Sequence, residues 1–175
     1  INPTRAAVLE ILNLMGANIE ICERRWQSGE PLCDLRVRSQ GLQGIDVPPG
    51  LVANAIDEFP VLAIAAAGAD GTTRIREATE LRFKESDRIN AVVEGLGNLG
   101  ISAVEYEDGM DIIGGRFRSG TIDSRGDHRI AMAFAVAGCC SNGSVVVNDC
   151  QNIATSFPGF VETGCALGMH LVEKL

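Results

Sequence analysis

The sequence predicts an α/β fold of repeated strand–helix units, each of βαβαββ form, packed around buried helices. Three observations predict it. Two segments, Asp57 to Gly68 and Asp127 to Gly138, are apolar nearly all round, the pattern of a helix buried on most sides, and they start 70 residues apart. Ser86 and Ser156, each ahead of an amphipathic run, are again 70 residues apart. Every amphipathic run closes on a glycine that leads into a strand-like segment, the alternation expected of α/β architecture.

Asn2-Pro3 reads as an N-cap with proline in the first helical position, and Val8, Leu9, Leu12 and Met15 form an apolar face ending at Gly16. A strand over Ala17–Ile21 follows. The apolar helix from Asp57 leads through a glycine turn to a strand at Thr72–Arg76. Ser86 or Asp87 caps the next helix, whose face is Ile89, Val92, Val93, Leu96 and Leu99, closed by Gly100 and followed by a strand at Ile101–Tyr106. The apolar helix from Asp127 leads to a strand at Ser144–Val147. Ser156 precedes a last helix with Phe157, Phe160, Val161 and Cys165, closed by Gly168 ahead of a strand at Met169–Val172. Gly-rich joints (Gly41, Gly44, Gly50; Gly114-Gly115; Gly120) separate the units. Residues 1–175 read as one domain of about two and a half repeats, with no linker.

Composition bounds the function. The chain has 175 residues, of which 46% are hydrophobic and 22% charged, so it carries no signature of disorder. Fifteen Lys and Arg against 23 Asp and Glu leave a net charge of −8, which excludes a general nucleic-acid or anionic-membrane surface. Any anion must be held by a few basic residues concentrated locally. No uninterrupted apolar run nears the roughly 18 residues of a membrane span, Val61–Ala67 being of core-helix length, and no secretion signal is apparent, so a cytoplasmic location is expected. The chain opens on Ile1-Asn2 rather than Met, which fits a fragment or processed product. Six cysteines show no CxxC spacing and only two histidines accompany them, so neither zinc nor disulfides are expected; the cysteines read as reduced, several of them buried.

Three helix starts carry the chemistry. Lys84 and Glu85 lie just before a helix and Arg88 in its first turn, where cations are disfavoured unless an anion, such as a phosphate or carboxylate, sits between them and the amides; a solvated cluster with Arg88 paired to an acid is the plainer alternative. Asp127-His128-Arg129 repeats the arrangement, with Arg129 at the rim of a cleft or paired within it. Asp57-Glu58-Phe59-Pro60 places carboxylates at the matching start, where an ordinary N-cap is the simplest role. Together they offer an acid/base pair, Asp57 and Glu85, beside the cations Lys84, Arg88 and Arg129, which suits a substrate carrying phosphate and carboxylate. GxGxxG and P-loop motifs are lacking, which counts against dinucleotide and nucleotide-triphosphate ligands.

Lys84-Glu85-Ser86-Asp87-Arg88, Gly126-Asp127-His128-Arg129 with Ile130-Ala131-Met132, Asp57-Glu58-Phe59-Pro60 and Ser156-Phe157-Pro158, with Asn2-Pro3-Thr4-Arg5 and Met15-Gly16-Ala17, together resemble the 5-enolpyruvylshikimate-3-phosphate synthase family (3-phosphoshikimate 1-carboxyvinyltransferases), in order along essentially the whole chain. The resemblance implies the C-terminal portion of a longer shikimate-pathway enzyme. Its two domains, each of three βαβαββ units, close on substrate; the absent N-terminal domain would hold most shikimate 3-phosphate contacts. The implied reaction transfers the enolpyruvyl group of phosphoenolpyruvate to the 5-hydroxyl of shikimate 3-phosphate, with no metal, nucleotide or redox cofactor. Asp57 would face the hydroxyl, and Glu85 would give and then take the proton at C3. Lys84, Arg88 and Arg129 would hold phosphoenolpyruvate, with Asp127 and His128 in support. Several family members carry a lysine immediately before the Ser/Thr-Phe-Pro element where this sequence has Thr155, which leaves open how the phosphate is held there. The alternatives are enolpyruvyl transfer to UDP-N-acetylglucosamine and a non-catalytic anion-binding domain. With half the site missing, the chain alone is expected to be inactive.

Overall fold

The computed structural model describes residues 1–173. The first helix, α1 (Ala7–Leu14), begins later than the Asn2-Pro3 cap predicts. The Asn2 side chain accepts from the Thr4 amide at 3.0 Å and from the Thr4 hydroxyl at 2.8 Å, but these bonds close a turn over residues 3–5 instead of opening a helix. Ala7, Ile11 and Met15 form its buried stripe, one turn apart, with Val8 and Leu12 packed alongside.

A long ribbon follows, β1 (Asn18–Gln27) antiparallel to β2 (Glu30–Arg38), of which only the start is predicted from the sequence. Its turn, Ser28-Gly29, has φ of 51° and 84°, the doubly left-handed bend that matches strand twist. Ile19 faces Val37 and Ile21 faces Leu35 on one side, while Glu20 pairs with Arg36 at 3.1 Å on the other. Residues 42–47 then run parallel to β3 (Thr72–Ile75), joined by the Arg74 amide to the Ile45 carbonyl at 2.8 Å and the Val47 amide to the Arg74 carbonyl at 2.9 Å.

Helix α2 (Pro49–Val52), a 3-10 stretch over Ala53–Glu58 and α3 (Phe59–Ala67) form one helical run of 19 residues. By length and composition it is apolar enough to cross a membrane, and half of it is buried inside this protein. That corrects the expectation that no such stretch exists: the run continues through Asn54, Asp57 and Glu58, which interrupt the apolar sequence but not the helix. Asp57 is therefore not an N-cap. It lies at the end of the 3-10 stretch, and no side chain caps α3.

A second 3-10 stretch, Thr79–Phe83, precedes α4 (Arg88–Asn98). Asp87 caps α4 by accepting the Asn90 amide at 3.1 Å, which decides between Ser86 and Asp87. Strands β4 (Ser102–Tyr106) and β5 (Gly109–Ile113) form a hairpin, and β3 pairs antiparallel with β5, giving the order β3-β5-β4. Strand β6 (Gly120–Asp123), helix α5 (His128–Ala137) and strand β7 (Val145–Asn148) form a parallel βαβ unit.

The last predicted helix differs from expectation. Ser156 ends the short α6 (Ile153–Ser156), and α7 (Phe160–Ala166) starts four residues later, with Gly159 at its N-cap position and no side-chain cap. The predicted strand at Met169–Val172 does not form among the described residues, because the Met169 amide turns back to the Gly164 carbonyl at 3.0 Å. The glycine that ends α4, Gly100, has φ of +79°, and Gly16 and Gly168 make the same left-handed exit after α1 and α7.

Helices α3, α4 and α5 form the core layer. Seven of the nine residues of α3 are buried, as are Ile130, Ala133, Phe134 and Ala137 of α5. The α4–α5 approach depends on Gly95, where a β-carbon would lie 2.3 Å from the Phe134 ring. All six cysteines are unpaired, but none is fully buried, contrary to expectation: Cys22 and Cys33 lie on the exposed ribbon, Cys139 and Cys140 at the end of α5, and Cys165 on the open side of α7.

Candidate active site

The three core helices start at one end of the molecule, so their amide-rich termini converge there. The predicted residues ride on these starts: Asp57 ahead of α3; Lys84 and Glu85 ahead of α4, with Arg88 its first residue; Asp127 as the cap of α5, with His128 and Arg129 in its first turn.

Asp57 is the centre. Its Oδ1 lies 3.5 Å from Arg88 Nη1 and 3.7 Å from Lys84 Nζ, and its Oδ2 lies 3.3 Å from Arg5 Nη1 and 3.6 Å from Arg129 Nη2. Arg129 also donates to the Asp57 backbone carbonyl at 3.0 Å. Burial by itself pushes this carboxyl up, but the charges of Arg129, Lys84, Arg5 and Arg88 together outweigh it and hold it below the ordinary aspartate range.

Arg88 lies beneath. Its side chain is 1% exposed, and the guanidinium donates from Nε to Asp127 at 2.8 Å and from Nη2 to Glu85 at 2.6 Å. Asp127, fully buried, also accepts the Arg129 amide at 2.9 Å and the Ser86 hydroxyl at 3.1 Å. Desolvation raises the Asp127 carboxyl, yet the Arg88 hydrogen bond and charge, then the Arg129 amide and Ser86, bring it below its usual value. The charge cluster predicted at the start of α4 is thus neutralised in the ligand-free chain by its own carboxylates, and one Asp127 side chain ties α4 to α5.

The remaining groups face outward. Glu85 is half exposed, with Oε1 4.0 Å from His128 Nδ1. Arg129 is about a third exposed; Lys84, one-fifth exposed, bonds to Glu80, a contact that with burial opposing it and the Asp57 charge assisting leaves the amine above its ordinary value. Asp57, Glu85, Lys84, Arg129 and His128 therefore share one open face, with Arg88 and Asp127 as its floor. Thr155 is apart from this cluster: its hydroxyl donates to the Asn152 carbonyl at 2.8 Å within α6.

Arg5 and Glu80 are the site neighbours that the sequence did not single out. Reading Asn2-Pro3 as a helix cap assigned Arg5 to a helix, whereas the Asn2–Thr4 turn presents it to Asp57 and Glu58. A cavity of about 540 Å³ lies elsewhere, lined by Gly100, Arg116, Phe117, Arg118, Ser119 and Asn142, at the opposite ends of the core helices. The carboxylate–cation cluster is an open surface, consistent with one wall of a cleft.

A family profile described as EPSP synthase (3-phosphoshikimate 1-carboxyvinyltransferase) matches residues 1–163. Curated relatives named 3-phosphoshikimate 1-carboxyvinyltransferase are similar along nearly the whole chain: that of Methylococcus capsulatus is 54% identical over 98% of it, and that of Legionella pneumophila 50% over 99%. The chain spans about 40% of the length of these relatives. Among solved structures, an EPSP synthase from Acinetobacter baumannii superimposes with a TM-score of 0.94 at 44% identity, covering 97% of this chain and 40% of that one. The enolpyruvyl transferase NikO from Streptomyces tendae, at 20% identity and a TM-score of 0.61 over 94% of this chain and 35% of its own, shares the fold alone. The fold is thus the α/β enolpyruvyl transferase-like one.

Proposed function

The chain belongs to the EPSP synthase family, and from that membership we propose that it forms part of an enzyme transferring the enolpyruvyl group of phosphoenolpyruvate to the 5-hydroxyl of shikimate 3-phosphate. It forms one domain, with about two and a half βαβαββ units, and works with an N-terminal domain of the same enzyme in the cytoplasm, without nucleic-acid or membrane partners. The observation that carries the reading is the Asp57 carboxylate, ringed by four cations where the starts of α3, α4 and α5 meet.

In the addition, the acceptor O–H bond breaks as its oxygen bonds to C2 of phosphoenolpyruvate, and the C2=C3 double bond opens to take a proton at C3. In the elimination, C3 gives up a proton, the C2=C3 double bond re-forms, and the C2–O bond to phosphate breaks with its electron pair leaving on phosphate. Asp57, kept ionised by its cations, faces the acceptor hydroxyl, takes its proton in the addition and passes it to the departing phosphate. Glu85 handles the C3 proton; its half-exposed position lets it reach a ligand while Arg88 fixes one oxygen. Lys84 and Arg129 have the exposure to turn from Asp57 toward the carboxylate and phosphate. Arg88 adds its charge from below, Asp127 and His128 hold Arg88 and Glu85 in register, and Thr155 lies on the α6 side.

The test is phosphate release from phosphoenolpyruvate with shikimate 3-phosphate, with UDP-N-acetylglucosamine as control acceptor. The chain is assayed alone and with the complementary N-terminal portion of the Methylococcus capsulatus relative. Release only with shikimate 3-phosphate and only after complementation is expected, with Glu85→Gln lowering the rate by about 10²-fold or more. Full activity of Glu85→Gln removes that residue's role, and release with UDP-N-acetylglucosamine instead overturns the acceptor.

A further inference from the structure

Arg5 lies 52 residues from Asp57 in sequence, on the turn ahead of α1, and bridges two carboxylates: Nη1 to Asp57 Oδ2 at 3.3 Å and Nη2 to Glu58 Oε1 at 3.0 Å. The turn that carries it is held by Asn2, which takes both the amide and the hydroxyl of Thr4. Among the described residues Glu58 Oε2 is buried without a hydrogen-bond partner, and the bond from Arg5 to Oε1 is the one side-chain bond that this carboxylate accepts. We propose that Arg5, presented by the Asn2–Thr4 turn, is a positioning residue of the site, anchoring the Asp57 carboxylate from the segment ahead of α1 while the other cations serve the ligand.

The distribution of partners supports this. Exposure does not single out Arg5, whose side chain is half exposed, more than Lys84 or Arg129; bonding does, because neither Lys84 nor Arg129 makes a hydrogen bond to the Asp57 carboxylate, which they approach only at 3.7 and 3.6 Å. On the proposed function, on which this inference rests, these two turn to the substrate's anionic groups. Arg88 is shared among Asp57, Glu85 and Asp127. Arg5 alone is committed to the Asp57–Glu58 pair, so it is the cation that stays when a ligand takes the others. Its fork spans two adjacent carboxylates, a geometry that a lysine ammonium does not reproduce. Its charge is also among those that offset burial and lower the Asp57 carboxyl.

The consequence is measurable in the chain without substrate. The groups facing Asp57 are Arg5 ahead of α1, Glu58 beside it, Lys84 and Arg88 from the start of α4, and Arg129 from α5, with Glu80, Glu85, Asp127 and His128 bonded to or beside those cations. Carboxyl carbons of 13C-labelled aspartates are followed by NMR as pH is lowered, with the Asp57 signal assigned by its loss in Asp57→Asn. Arg5→Gln is expected to move the Asp57 midpoint to higher pH and Arg5→Lys to move it less, while Arg24→Gln, an exposed arginine of β1, leaves it in place. A folded Arg5→Gln chain, judged by its amide spectrum, with an unmoved midpoint overturns the proposal. If Arg5→Gln does not fold, Asn2→Ala carries the test: a smaller displacement in the same direction supports the proposal and none overturns it. Because the readout is a protonation in the chain itself, failure of the enolpyruvyl assay leaves this result standing, and the reverse.

Discussion

Replacing Asp127 with asparagine separates the two jobs that this carboxylate does. Asparagine keeps an oxygen to accept the Arg129 and Ile130 amides, so the cap of α5 survives. What is lost is the charge opposite Arg88, whose side chain is 1% exposed. Breaking one side of a buried ion pair costs about 3–5 kcal/mol, because the remaining charge stays desolvated. Here Glu85 at 2.6 Å and Asp57 at 3.5 Å still face the guanidinium, which places Asp127→Asn near the lower end, about 3 kcal/mol. For a chain of this size that corresponds to roughly 6–12 °C in Tm. Asp127→Ala loses the cap as well and should cost about 1 kcal/mol more. Urea unfolding followed by far-UV circular dichroism reads the effect as a lower midpoint at unchanged slope. The lone tryptophan, Trp26, is 75% exposed on the β1–β2 ribbon and would report the ribbon rather than the helix layer. Arg88→Met added to Asp127→Asn should recover part of the loss, since no lone guanidinium then remains. A stability of Asp127→Asn within about 1 kcal/mol of the parent chain would refute the assignment of this pair as the tie between α4 and α5.

Two further outcomes follow from the same layer. Asp57 and Asp127 both have carboxyls lowered by folding, so the unfolded chain takes up their protons first. Their contribution is present above the unfolded value of about 4 and disappears as pH falls through the lower folded values, so urea midpoints should drop steeply below about pH 4 and less steeply in Asp127→Asn; parallel slopes would count against the linkage. At Gly95 an added methyl meets the Phe134 ring at 2.3 Å, a clash of about 1–3 kcal/mol that exceeds the helix-propensity gain of about 1 kcal/mol. At Gly97 nothing lies within 4 Å. Gly95→Ala should therefore destabilise and Gly97→Ala stabilise, with the reverse order refuting the close α4–α5 contact.

Much of the fold is legible in the sequence because its signals are local. Asp127 caps α5, and Ser86-Asp87 marks the start of α4, because a short side-chain oxygen can reach amides only two or three residues on. The apolar face of α4 follows from 3.6 residues per turn, and α3 and α5 show as runs apolar nearly all round, the pattern of helices buried on most sides. The same logic misplaced the first and last helices. Asn2 and Ser156 are cap residues by type, but Asn2 closes a turn and Ser156 finishes a four-residue helix, and composition does not distinguish these uses. The ribbon from Asn18 to Arg38 was read only at its start because both strands carry polar residues on exposed positions, which weakens the alternation.

For the candidate site, the sequence by itself determined the cast: which helix starts carry Asp57, Lys84, Glu85, Arg88, Asp127, His128 and Arg129, and the concentration of cations in an acidic chain. The tertiary structure decided their ranks. It sank Arg88 and Asp127 into the floor, left Glu85, Lys84 and Arg129 at the surface, brought Arg5 to Asp57 from the far side of α1, and kept Thr155 within α6. The reason is physical. Cap and period are fixed by neighbours along the chain, but the burial of a guanidinium depends on which carboxylates meet it across the packed helices, and those lie 31 and 39 residues away.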